Sequence, residues 1–199
     1  LAGVTDVNID EESENVASSV KKRIHWLIIL LFINLITSGI VTGFENVLTA
    51  IPTLALFMPL ILNMAGNTGT QSLGVIIQLF ASNQLIEKKD IAKHLLREFI
   101  TGIVNGTAIG ILLFGLVFAI KMIDGTNALD ALSFAKVISI SIAVSLSAAT
   151  IAGAGIPLLM KLIKVDPAVA SGPFITTVND IISLLIYFGL ASVMLSELL

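Results

Sequence analysis

From Asn46 to Ile86 the chain runs for 41 residues without a charged side chain. The hydrocarbon core of a bilayer is about 30 Å thick, and a helix rises 1.5 Å per residue, so roughly 20 apolar residues cross it. Other stretches meet that length: Ile24 to Phe44 (21 residues), Phe99 to Ile120 (22) and Val137 to Met160 (24) are uncharged, and Pro167 to Ser196 (30) is broken only by Asp180. The composition agrees. Only 13% of the 199 residues are charged, against about 25% in a soluble domain, while 56% are hydrophobic and the mean hydropathy is +1.00. One core of this size cannot hide so much apolar surface, and the remaining solvent is lipid. Pro52, Pro59 and the cluster Gly66, Asn67, Thr68, Gly69 divide the longest stretch, which reads as one long interrupted helix from about Pro52 to Ser82. The expected fold is an all-α integral membrane protein with five transmembrane helices. With no cysteine, disulfides, thiolate metal sites and cysteine nucleophiles are excluded.

The charges sit between the spans. Glu45 and Asn46, Glu87 to Asp90, Asp124 to Asp130 and Lys161 to Asp166 mark the turns, and Asp166-Pro167 reads as the N-cap and first residue of the fifth helix. Nine of eleven bases (Lys21, Lys22, Arg23, Lys88, Lys89, Lys93, Arg97, Lys161, Lys164) fall on one side, and Lys121 and Lys136 on the other. The positive-inside rule then predicts a cell-membrane protein with its N-terminus cytoplasmic and its C-terminus outside. Glu45, Asp124 and Asp130 make the outer loops mildly acidic, with Glu45 at the outer mouth. Five of 14 acids (Asp6, Asp10, Glu11, Glu12, Glu14) crowd the N-terminus, so residues 1–22 read as a cytoplasmic tail or connecting helix and 23–199 as a transmembrane, cation-conducting domain. An acidic start and a long apolar stretch without a small-residue cleavage pattern speak against a signal peptide. No basic surface for nucleic acid is present.

Asp180 is the one acidic or basic residue placed deep in a predicted span, about 13 residues or roughly 20 Å into the fifth. A charge there costs about 2.5 kcal/mol or more unless compensated. With no intramembrane lysine or arginine to pair with it, the compensation is a proton or a bound cation. Thr176, Thr177, Gly172, Ser183 and Tyr187 fall near the Asp180 face at helical spacing, a stripe suited to a water-filled path. A protonated Asp180 hydrogen-bonded to a neighbouring helix is the structural alternative. Gly66-Asn67-Thr68-Gly69-Thr70-Gln71-Ser72, extended by Asn63 and Gln78, cannot face lipid and must line a cavity or a helix contact. Gly102, Gly106 and Gly110 form a GxxxGxxxG ridge, and the fourth span is rich in serine, alanine and glycine, which reads as scaffold or protomer interface. No catalytic residues emerge: an aspartyl protease needs two carboxylates, and His25, beside Trp26 at a span end, and His94, in a basic loop, do not reach a mid-membrane serine.

Phe44-Glu45, Leu56-Phe57-Met58-Pro59-Leu60-Ile61, the Gly66 to Ser72 run, Asp166-Pro167-Ala168, Gly172-Pro173 and Asn179-Asp180 before Leu184-Leu185-Ile186-Tyr187 together resemble the membrane domain of the MgtE-type magnesium channel and transporter family. The resemblance covers about Arg23 to Leu199. It implies a homodimer of five-span protomers in the lipid bilayer, with an ion path along the two-fold axis lined by the second and fifth spans. It also implies that Asp180 is the metal-binding residue for a largely hydrated Mg²⁺ or other divalent cation, which is cargo rather than a cofactor, within a path lined by Gly66, Asn67, Thr68, Gly69, Gly172, Thr176 and Ser183. Backbone oxygens near Gly66 to Gly69 and Gly172 to Thr176 are expected to complete an outer-sphere cage. Two departures stand out: Gly172 occupies a position that is asparagine in many members, and residues 1–22 are too few to hold the soluble magnesium-sensing domains of typical members. A proton- or sodium-coupled carrier and a non-transporting scaffold or sensor subunit are the alternative functions.

Overall fold

The computed structural model describes residues 16–82, 88–164 and 172–196. They form six helices: α1 (Val16–Gly43), α2 (Glu45–Ala50), α3 (Thr53–Ala81), α4 (Lys88–Ile123), α5 (Ala128–Leu162) and α6 (Gly172–Met194). Four segments, Arg23–Gly43, Lys89–Ile123, Ala128–Leu162 and Gly172–Met194, are long and apolar enough to cross a membrane. At 29 residues α3 has the length, but Asn63 and the polar run from Asn67 to Ser72 dilute its hydropathy.

α5 is the hub, packing against α4, α3 and α6, while α1 touches mainly α6. In lipid there is no hydrophobic contrast to drive helices together, so close approach of small residues has to supply the contact. The α4 glycines do this against α5. A Cβ on Gly106 would lie 3.1 Å from Ala143 Cα, one on Gly102 2.9 Å from Ser147 Cα, and one on Gly110 3.0 Å from the Ser139 carbonyl oxygen. The ridge is therefore scaffold within the protomer. Gly153 of α5 lies equally close on Gly69 of α3, its built Cβ 3.0 Å from Gly69 Cα.

Two apolar clusters flank this small-residue layer. One, with Leu54, Ile61, Ile138, Ile142, Leu184 and Phe188, fills the end where α6 finishes, and Tyr187 Oη there donates 2.9 Å to the Leu54 carbonyl, tying α6 to α3. The other, Leu73, Ile76, Leu158 and Ile175, fills the end where α6 begins. Asn127 caps α5 by accepting from the Asp130 amide at 2.9 Å, and the preceding turn passes through Gly125 at φ +78°, where a side chain would be strained. Lys121 Nζ donates to Thr53 Oγ1 at 3.0 Å, joining the end of α4 to the start of α3.

Several sequence expectations change. The long second stretch is not interrupted: α3 is continuous through Pro59 and the glycine run, and the turn after Phe44 is the short helix α2. Pro59 removes one backbone donor, and the adjoining turns carry the helix past it. His94 is no loop residue. It lies in α4 and is buried at 7% exposure. Residues 1–15 and the proposed Asp166-Pro167 helix start lie outside the described residues.

Candidate cation site

α6 opens with Gly172 and Pro173, and the proline carbonyl accepts the hydroxyls of Thr176 at 2.9 Å and Thr177 at 2.8 Å. These local side-chain bonds use the spare lone pair of a carbonyl in the first turn of the helix. One turn past Thr176, Asp180 projects from the same face. Across from it α3 presents Asn63, Gly66 and Asn67, spaced three and four apart and so aligned on one side. Gly66 lets α3 approach: its built Cβ stands 3.3 Å from Thr176 Cγ2.

Between the two helices lies a cleft of about 290 Å³ lined by Pro59, Leu62, Asn63, Gly66, Asn67, Thr176 and Asp180. Every polar side chain in that lining offers oxygen, and none is basic. Asn67 Nδ2 donates to Asn63 Oδ1 at 3.3 Å, which orients the pair and leaves Asn67 Oδ1 without that contact. Asp180 is half-buried. Among the described residues no group of three or more His, Cys, Asp or Glu converges, and Asp180 is the one carboxylate in the cleft lining.

Of the expected lining, Gly66, Asn67, Thr176 and Asp180 come together and the rest does not. Thr68 is buried with its hydroxyl donating to the Met64 carbonyl at 2.8 Å. Gly69 faces Asn179 and Ile175 of α6 and Gly153 of α5, so its carbonyl turns away from the cleft. Gly172 stands beside Thr70, 3.8 Å from its Cγ2 to the built Cβ. Ser183 is 1% exposed inside the bundle, and Thr177 and Tyr187 are buried as well. The polar stripe on α6 thus divides: Thr176 and Asp180 face the cleft, while Thr177, Ser183 and Tyr187 face the core. Exposed Glu45 opens α2, and residues of α2 do not line the cleft. The contribution of Pro59 and Leu62 was not legible, although Asn63 four residues before Asn67 was a usable sign.

A larger omission is Glu98. It is 7% exposed and its Oε2 lies 2.5 Å from Ser72 Oγ of α3. Its signal was present in the spacing, since His94 and Glu98 continue the four-residue repeat of Gly102, Gly106 and Gly110.

Comparison with known proteins gives a consistent picture. Residues 58–190 match the MgtE family, described as divalent cation transporter. The magnesium transporter MgtE of Bacillus subtilis is 41% identical over 202 residues, covering 95% of this chain and 43% of the relative. That of Enterococcus faecalis is 37% identical over 193 residues, covering 96% of this chain and 40% of the relative. The Thermus thermophilus protein is 35% identical over 173 residues, covering 87% and 36%. The chain therefore spans less than half the length of these relatives.

Proposed function

Starting from a chain that belongs to the MgtE family of divalent cation transporters, we propose that it carries Mg²⁺ across the cell membrane through a path lined by α3 and α6, with Asp180 holding the hydrated ion. The observation that carries this reading is the cleft. It joins one carboxylate to Asn63, Asn67 and Thr176 with no base nearby, a donor set suited to a hard cation. Mg²⁺ is octahedral and sheds water reluctantly. Six waters at about 30 Å³ each occupy roughly 180 Å³, which the cleft of about 290 Å³ accommodates. The amide and hydroxyl oxygens then accept hydrogen bonds from the ion's water shell, and the ion crosses without full dehydration.

In this reading α1, α3, α4, α5 and α6 are five spans, α3 being screened from lipid by its neighbours at the polar run. Two protomers face each other across the cleft, so two Asp180 side chains balance the charge of one divalent ion. The arrangement of lysines and arginines supports a cytoplasmic N-terminus and an outer C-terminus.

The test is Mg²⁺ flux into liposomes containing the purified protein. Wild-type protein is expected to pass Mg²⁺ without a proton or sodium gradient, and Asp180→Asn to lower the flux more than about tenfold while eluting at the same size. Full flux from that variant refutes Asp180 as the ligand. Flux that requires a proton or sodium gradient converts the channel reading to a coupled carrier, and no wild-type flux refutes transport.

A further inference from the structure

Two buried titratable groups that the cleft does not use, His94 and Glu98, lie where α4 meets α3 and α5. Along α4, His94, Glu98, Gly102, Gly106 and Gly110 recur every fourth residue, which places them on one ridge. The glycines of that ridge lie against α5. Where glycine gives way to ionisable residues the side chains stay buried: His94 and Glu98 are each 7% exposed. Glu98 Oε2 lies 2.5 Å from Ser72 Oγ, and Ser72 Oγ lies 2.9 Å from the Thr150 carbonyl oxygen of α5. Thr150 is fixed in turn, its hydroxyl donating to the Ser147 carbonyl at 2.8 Å. On the other side Glu98 Oε1 stands 3.9 Å from His94 Nε2.

A buried carboxylate is a poor device for stability alone. Apolar packing of the same volume is often as stable or more so, and the surviving use of such groups is to fix registry. Here the hydrogen bonds fix one thing in particular, the depth and rotation of α3. Ser72 follows Gly66 by six residues and Asn67 by five, about 8 Å along the helix. Between them Gly69 and Gly153 touch through backbone atoms with no side chain to resist sliding. A small-residue contact of this kind permits close approach but sets register weakly, whereas the hydrogen bond of Ser72, whose one hydroxyl proton is shared between Glu98 Oε2 and the Thr150 carbonyl, is directional.

We propose that Glu98 is a positioning residue for transport: through Ser72 it pins α3 against α4 and α5, so that Asn63, Gly66 and Asn67 stay opposite Thr176 and Asp180. The proposal rests on the transport reading, and its test separates the two.

The built Cβ of Gly66 lies 3.5 Å from Thr176 Cβ, within the 3.5–4.5 Å range of a disulfide, and the chain has no native cysteine. The pair Gly66→Cys with Thr176→Cys therefore reports the register of α3 against α6 by its rate of oxidative cross-linking, independently of any flux. In that background Glu98→Leu is expected to slow cross-linking more than about tenfold. Glu98→Gln, whose side-chain amide can accept from Ser72 Oγ or donate to it, should restore it. In the cysteine-free protein, Glu98→Leu should raise the half-saturating Mg²⁺ concentration for flux more than about tenfold. Ser72→Ala should reproduce that effect, and the double variant should be no worse than either single one. If Glu98→Leu does not yield folded protein, Ser72→Ala carries the same two readouts. Unchanged cross-linking and half-saturation in folded variants, with only a lower melting temperature, overturn the proposal. Slowed cross-linking in a protein whose wild type passes no Mg²⁺ upholds the pin and refutes transport.

Discussion

Gly153→Ala and Gly155→Ala place the same methyl group two residues apart on α5, yet the structure assigns them opposite effects. A Cβ on Gly153 would sit 2.9 Å from the carbonyl carbon of Gly69 and 3.0 Å from its Cα, and closer still to its oxygen. Ordinary contact begins near 3.4 Å, and the opposing atoms are backbone, which cannot rotate aside. The helices must part by about half an ångström or more, and overpacking of this sort costs about 1–3 kcal/mol. At about 2–4 °C per kcal/mol for a chain of this size, the melting temperature in detergent falls by roughly 2–12 °C. Because α3 also carries Gly66 and Asn67, the cleft is displaced with it, and under the proposed function Mg²⁺ flux is expected to fall too. Nothing lies within 4 Å of a Cβ on Gly155, and replacing glycine inside a helix stabilises by about 0.5–1 kcal/mol. Thermal melting of the two variants, followed by tryptophan fluorescence and by light scattering, separates the cases. Equal melting temperatures would refute the backbone contact between α3 and α5 as the organising feature of the bundle.

Two further outcomes follow from single hydrogen bonds. Tyr187→Phe removes the bond to the Leu54 carbonyl at a cost of about 0.5–1.5 kcal/mol; melting should drop by a few degrees while the half-saturating Mg²⁺ concentration stays put, because the bond lies outside the cleft. Asn127→Ala removes the acceptor for the Asp130 amide, which costs about 1 kcal/mol, and hydrogen exchange should quicken in the first turn of α5 and nowhere else; protection unchanged there would refute the cap.

What the residues revealed in advance follows from the physics of each signal. Apolar stretches of span length need no tertiary context, so the helices and Asp180 could be found from their order alone. The close contacts of Gly102, Gly106 and Gly110 followed from spacing for the same reason. Whether Asn67 or its neighbour Thr68 faces the cleft depends on the rotation of α3 against α5, where Gly69 meets Gly153 and Ser72 meets the Thr150 carbonyl, and these contacts join residues distant in sequence. The α6 stripe failed similarly. Thr176, Thr177, Asp180, Ser183 and Tyr187 share a broad polar arc, but four helices meet α6, and the arc is cut between cleft and core. Glu98 escaped notice because it adjoins Arg97 and stands at the edge of the uncharged stretch. A charge at a span end looks solvated until the partner helix is known.

The choice of a carboxylate at Asp180 also bears on why a divalent ion would pass rather than stay. At an outer-sphere distance of about 5 Å and an effective dielectric near 20, a doubly charged ion gains roughly 7 kcal/mol from one carboxylate and a singly charged ion about half that. Two facing carboxylates in the proposed dimer double both figures, so the advantage of the divalent ion grows with each added acid. Direct coordination would strengthen the attraction further, but it would require Mg²⁺ to surrender water it holds tightly. In the proposed mechanism the asparagine and threonine oxygens beside Asp180 answer that difficulty by engaging the water shell instead of the metal. Charge then selects the ion at a distance while the retained water keeps the binding shallow, and an ion bound in this way leaves by exchanging hydrogen bonds rather than by rebuilding its coordination sphere.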